Sequence, residues 1–154
     1  MSSVGVDVGS YAIKIATMQH GRMGSKLSHL VTEYNPVGQA LPSDTLLEQK
    51  LAATIKSVFD KYKLPKDMVS VCLPESLAYT SIITLAYLSE AELASSIHWE
   101  AEQHIPVALD EVNLEYEVLY KPKKGEVGDK MRVLLVAARR DVVERVVRLF
   151  SAAG

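Results

Sequence analysis

Two apolar runs, Val4–Val8 and Ala12–Met18, stand only three residues apart, joined by Gly9-Ser10-Tyr11. A connection that short leaves room for little but a tight antiparallel hairpin. Its chemistry is unusual. Asp7, Gly9, Ser10 and Lys14 fall within eight residues. A backbone turning at Gly9 can aim its N–H groups outward, where they suit phosphate oxygens. An aspartate at a strand end can hold Mg²⁺ through water. A lysine a few residues into the next strand can reach back over the turn. The same residues also make an ordinary turn, with glycine at positive φ and Asp and Ser bonding their own backbone.

Composition narrows the field. The chain has 154 residues, of which 48% are hydrophobic and 23% charged, so a packed core is affordable in one domain or two small ones. A formal net charge of −2 gives no basic footprint for nucleic acid. No run approaches the roughly 18 apolar residues that cross a bilayer. Met1-Ser2-Ser3-Val4 lacks the charged and apolar regions of a signal peptide, so the expected location is the cytoplasm. Cys72 is the single cysteine and sits in the apolar run Met68–Leu73, which reads as a small buried side chain.

In chain order, a turn at His20–Ser25 leads to a third strand, Lys26–Tyr34, completing a meander. Asn35–Pro42 is a loop. A helix is expected from about Ser43 to Tyr62, capped by Ser43 or Asp44, with a capping-box pattern Thr45-x-x-Glu48. Leu47, Leu51, Ile55, Val58, Phe59 and Tyr62 make its apolar stripe. Leu64-Pro65 ends it, and Met68–Leu73 reads as a buried parallel strand reached by the helical crossover. The first half is thus β-β-β-α-β.

The second half begins near Leu77. Leu77–Leu85 reads as a strand. Ser89-x-x-Glu92 opens a helix that runs to about His104, with Leu93, Ile97 and Ala101 inward and Ile105-Pro106 as its end. Val112–Tyr120 alternates apolar with polar residues as a half-wet strand. Lys121–Lys130 is a charged connection, and Met131–Ala138 is a buried strand. Asp141 is placed to cap a last helix whose stripe is Val143, Val146, Val147 and Phe150. The order is β-α-β-β-α. Glu100 and Glu102 read as a solvated helix face. His98 and His104 lie six apart, off the spacing of a helical metal pair, and no other ligand cluster stands out.

Asp7, Gly9, Ser10 and Lys14 resemble the first phosphate loop of the actin-like ATPase superfamily, which includes sugar kinases, Hsp70 chaperones, actin and cell-division proteins. Glu92-Leu93, Trp99-Glu100-Ala101-Glu102-Gln103-His104-Ile105-Pro106 and Asp110-Glu111-Val112 resemble a narrower group, the PilM family of type IV pilus assembly. The resemblance implies an α/β chain forming the first lobe of an actin-like, ribonuclease-H-like fold. Residues 1–76 would be an incomplete subdomain 1A and residues 77–154 an accessory subdomain like 1C. It implies ATP and Mg²⁺ as cofactors, with Asp7, Gly9, Ser10, Tyr11 and Lys14 as nucleotide ligands and Asp7 holding Mg²⁺ through water, and no catalytic residue. It also implies an adaptor that binds the cytoplasmic N-terminal tail of a PilN-type inner-membrane protein, in a groove between the two subdomains. Pilus motor ATPases are a further partner class, and membrane contact would come only through a partner. The Leu77–Leu85 strand and the Ser89–His104 helix are where the peptide is expected. No second glycine-rich phosphate loop follows Lys14, and Lys124–Gly128 sits in the charged connection. The chain therefore reads as the N-terminal part of a longer protein or a shortened paralogue, with half a nucleotide site and weak or no ATP binding. The alternatives are an FtsA-like filament protein and a small-molecule kinase of the same superfamily.

Overall fold

In the computed structural model, which describes residues 2–123 and 130–154, the opening runs pair as the hairpin their spacing demands. Strand β1 (Ser2–Val8) is antiparallel to β2 (Ala12–Gly21), and β2 to β3 (Gly24–Tyr34). Most of the span read as the second turn is strand; only Arg22-Met23 turn, with Gly21 opposite Gly24. Between Thr17 and Met18 the register shifts. Ser28 sits in this bulge, its hydroxyl 2.6 Å from Thr17 Oγ1 and donating to the Thr17 carbonyl at 3.2 Å. The buried Thr17 hydroxyl also lies 2.9 Å from His29 Nδ1, so the bulge leaves it satisfied.

Helix α1 (Thr45–Tyr62) then crosses over to β4 (Val69–Cys72), which lies parallel to β1 with Asp7 opposite Cys72. The sheet order is β3-β2-β1-β4. Alternation sorts its faces. Val4, Val6, Val8, Ile13, Ile15 and Val31 point inward onto Leu51, Ile55, Val58 and Phe59 of α1. Gly5, Asp7, Lys14 and Ala16 point the other way. Asp44 caps α1, accepting from the Leu47 amide at 3.0 Å. The Thr45-x-x-Glu48 pattern is not used as a box. With Asp44 as the cap, Glu48 is one residue too far along, and its carboxylate takes Arg148 Nε at 3.1 Å instead. The helix ends at Lys63, held left-handed at φ 52° with Leu64 N bonded to the Phe59 carbonyl.

The parallel placement of β4 is as read from sequence, but its burial is not. It is an edge strand, with Val69 and Val71 half-buried and Ser70 and Cys72 exposed. Cys72 is therefore a surface thiol. An apolar run signals burial on both faces only where both are covered.

The second half follows its expected order. Strands β5 (Ala78–Leu85), β6 (Val112–Tyr120) and β7 (Met131–Arg139) form an antiparallel sheet in the order β5-β7-β6. Helix α2 (Glu90–Glu102) packs Leu93, Ile97 and Ala101 against Ile83, Leu85, Val133 and Leu135. Its capping box forms in both directions: Ser89 Oγ accepts from Glu92 N, and Ser89 N donates to Glu92 Oε2 at 2.8 Å. The charged connection after β6 falls largely on residues 124–129, outside those described, and the Lys124–Gly128 reading lies there too.

Helix α3 (Arg140–Ala153) follows β7 with no gap. Asp141 is thus inside the first turn rather than at a cap, and its carboxylate accepts from Arg139 Nε at 3.0 Å. The buried residues are Val142, Leu149 and Ala153, whereas Val147 is exposed and Val146 and Phe150 are half-covered. The chain divides into two units, residues 1–74 with 144–154 and residues 75–143. Leu149 and Ala153 belong to the core of the first, with Phe150 packed against it.

Candidate functional site

The turn between β1 and β2 is fixed from three directions. Gly9 N donates to the Ala12 carbonyl at 2.9 Å, closing the hairpin. The backbone here is not left-handed, so positive φ is not what calls for glycine. Space is. A Cβ on Gly9 would lie 3.2 Å from the Ala12 oxygen, tighter than nearly all real contacts. The Asn35 amide donates to the Tyr11 carbonyl at 2.9 Å, and the Asn35 side chain donates to the Gly9 carbonyl at 2.8 Å.

Asn35 is the residue that sequence reading passed over as loop. It is wholly buried and fully used. Besides Gly9, Nδ2 donates to the Gln39 carbonyl at 2.9 Å, while Oδ1 accepts from Val37 N at 2.9 Å. That last bond is an Asx turn, which an Asn-Pro pair after a strand could have signalled. The bond to Gly9 crosses 26 residues and has no local signature. Tyr34, just before it, packs edge-on against Tyr11 with centroids 5.6 Å apart, both rings remaining exposed.

The five sequence-chosen residues are gathered at this end of the hairpin. Ser10 and Tyr11 are exposed, and among the described residues their amides have no acceptor. Asp7 and Lys14 face each other across the strands, with Nζ 3.3 Å from Oδ2 and both side chains about half open to solvent. They open onto a shallow depression of about 420 Å³ on the sheet face, floored by Gly5, Ala16, Leu30, Ser70 and Cys72. Small residues there keep the floor low. The arrangement offers two unpaired amides, a half-exposed lysine and a half-exposed carboxylate. Chemically it can hold an anion such as phosphate and, through Asp7, a hydrated divalent cation. Nothing in it supplies a nucleophile or a proton-transfer pair.

A second charge cluster of the unit lies on the sheet's other face. Hydrogen bonds from Lys61 and then Tyr62 hold the Glu33 carboxyl below its ordinary range, and Glu33 in turn raises Lys61. The Tyr62 hydroxyl donates to Glu33 Oε1 at 2.7 Å, tying β3 to the end of α1. This clamp is structural and remote from Asp7.

The chain is similar to two solved structures. One, the PilM-PilN type IV pilus biogenesis complex, superposes with a TM-score of 0.79 at 24% identity, covering 99% of this chain and 44% of that one. The other is the cytoplasmic domain of EpsL, an inner-membrane component of the type II secretion system of Vibrio cholerae. It matches with a TM-score of 0.57 at 13% identity, over 100% of this chain and 54% of the other. The chain thus spans about half the length of either match, and both likenesses speak for the fold. The family follows from the sequence: the model of type IV pilus assembly protein PilM matches residues 5–154, so the chain belongs to the PilM family of type IV pilus assembly.

Proposed function

We propose that the chain is an adaptor of type IV pilus assembly that binds the N-terminal cytoplasmic tail of a PilN-type inner-membrane protein. The observation that carries this reading is the family match across nearly the whole chain, joined to a structural neighbour solved as a PilM-PilN complex. An adaptor of this kind works by offering strand edges and side-chain pockets to an extended segment, and needs no catalytic group. Contact with the membrane comes through that partner. The test is isothermal titration of the chain with a synthetic PilN-type N-terminal peptide. Saturable binding at one site is expected, and no heat at high micromolar peptide would sink the proposal.

The hairpin turn adds one wall of a nucleotide cleft. The residues fit the group: the free amides of Ser10 and Tyr11, with Lys14, suit phosphate oxygens, and Asp7 suits a hydrated Mg²⁺. ATP with Mg²⁺ would supply a phosphate cluster whose charge the metal partly neutralises. The chain's own contribution is to position and to bind. One wall gives weak affinity, so titration of the chain with Mg·ATP should show at most weak binding. A low-micromolar dissociation constant would overturn the one-wall reading and leave the peptide proposal untouched.

A further inference from the structure

Among the described residues, strand β6 is paired on one side only, by β7. Edge strands of soluble proteins are usually short, bulged or covered, because an open row of N–H and C=O groups recruits other chains. This one is nine residues long, Val112–Tyr120. Its single irregularity falls between Val118 and Tyr120, beyond the stretch of interest. Tyr116 and Val118 project to the core side of the sheet, yet each is 38% exposed. The core beneath β6 is thus finished only at its start, where Val112 is buried.

The other face of the same stretch is acidic. Glu115 and Glu117 lie opposite Val136 and Leu134 of β7, and Ile82, across from Leu134 on β5, is 52% exposed. Several acids of the chain pair with its own bases: Asp7 with Lys14, Glu33 with Lys61, Glu48 with Arg148, Asp60 with Lys56 and Lys66, Glu111 and Asp141 with Arg139. Among the described residues, Glu115 and Glu117 have no such partner. An incoming strand therefore meets a fixed pattern, with carboxylates on one face and an unfinished apolar surface on the other, alternating residue by residue.

We infer that β6 is a docking edge for an extended peptide that alternates basic and apolar residues, added as a fourth strand to this sheet. Main-chain bonds to the open edge supply the affinity, and the alternation supplies the specificity. Basic side chains fall opposite Glu115 and Glu117, and apolar ones cover Tyr116 and Val118. A second copy of this chain does not fit, because pairing β6 with β6 brings carboxylates to carboxylates and like charges across strands repel.

The test uses the whole chain and a fluorescein-labelled peptide alternating lysine and valine. The control has the same composition with the lysines grouped at one end. Fluorescence anisotropy should show the alternating peptide binding about tenfold more tightly than the grouped one, the worth of two matched cross-strand charge pairs. The double variant Glu115→Lys/Glu117→Lys should lose about the same factor, with its circular dichroism unchanged and its titration with the PilN-type peptide unaffected. Hydrogen exchange should slow at amides within Val112–Tyr120 when the alternating peptide is bound. Equal binding of the two peptides, undiminished binding by the folded double variant, or protection confined to other strands would each overturn the assignment.

Discussion

Asn35 offers the sharpest test of how the hairpin turn is built. Its side chain makes three hydrogen bonds from a position with no solvent exposure: to the carbonyls of Gly9 and Gln39, and from the Val37 amide. Truncation in Asn35→Ala removes all three and leaves their partners facing a hole. Gln39 is exposed, so its carbonyl recovers water at little cost. The Gly9 carbonyl and the Val37 amide are half-buried and recover less. At about 1 kcal/mol for each bond, rising toward 2 for a group left dry, the loss comes to about 3 kcal/mol. For a chain of this size that corresponds to a fall in Tm of about 10 °C. Differential scanning fluorimetry, supported by urea titration, reads both quantities.

A second substitution separates donation from mere filling. Asn35→Asp keeps the shape but cannot donate to two carbonyls, so at neutral pH it should be at least as damaging as alanine. Burial beside two carbonyl oxygens would raise the new carboxyl's folded pKa above its unfolded value. The penalty is then present above that folded value and is relieved as pH falls through it, since the protonated carboxyl regains one donor. Asn35→Asp should therefore gain on Asn35→Ala in acid. A variant Asn35→Ala within about 1 kcal/mol of the parent, or an Asn35→Asp as stable as the parent at pH 7, would refute the clamp.

Two further outcomes follow from the same geometry. Cys72 should react with a thiol reagent in the native state at a rate within about tenfold of a free thiol, whereas a core cysteine would react only on unfolding; a reaction that tracks global unfolding would contradict the edge position of β4. Glu33 is held below its ordinary pKa by Lys61 and Tyr62, so its contribution is present above the unfolded carboxyl value and lost as pH falls through the folded one. Glu33→Gln should accordingly be less stable than the parent near neutrality and converge with it in acid, and a constant gap across that range would count against the clamp.

What the sequence disclosed, and what it withheld, divides by the range of the interaction. The strands and α-helices of the described residues, and their order, follow from alternation and helical spacing, which are local. Ser89 and Glu92 form their box because both partners lie within one turn. Thr45 and Glu48 show the same letters and do not, because Asp44 also caps and Glu48 has a competing partner 100 residues on, Arg148. Cys72 misled for a related reason. Its apolar neighbours say strand, but its exposure depends on what lies beside β4 and on the outer sheet face, which no neighbour in sequence records. The stripe of α3 was misjudged by about one residue's rotation: Val142, Leu149 and Ala153 are buried, and Val147 is exposed. The proposed site shows the same division. Asp7 and Lys14 could be named from type and spacing, whereas the residue that holds their turn in place could not.

That division bears on how the turn would take a ligand. Its backbone is over-determined, closed by Ala12, clasped by Asn35 from both main chain and side chain, and crowded at Gly9. The turn's backbone is therefore held before any ligand arrives, and a rigid backbone gives up little entropy on binding. The charged side chains are the opposite case. Lys14 and Asp7 sit about half exposed at 3.3 Å, and a pair in that setting is worth at most about 1 kcal/mol. Separating them is cheap. A phosphate carrying its own divalent cation would take both at once, the anion drawing Lys14 and the hydrated metal drawing Asp7, so that neither charge is left unmatched. A bare phosphate would gain Lys14 but confront the stranded carboxylate of Asp7. On the proposed phosphate-binding reading, the turn would prefer the metal-bound form of the anion, a preference that follows from the resting ion pair.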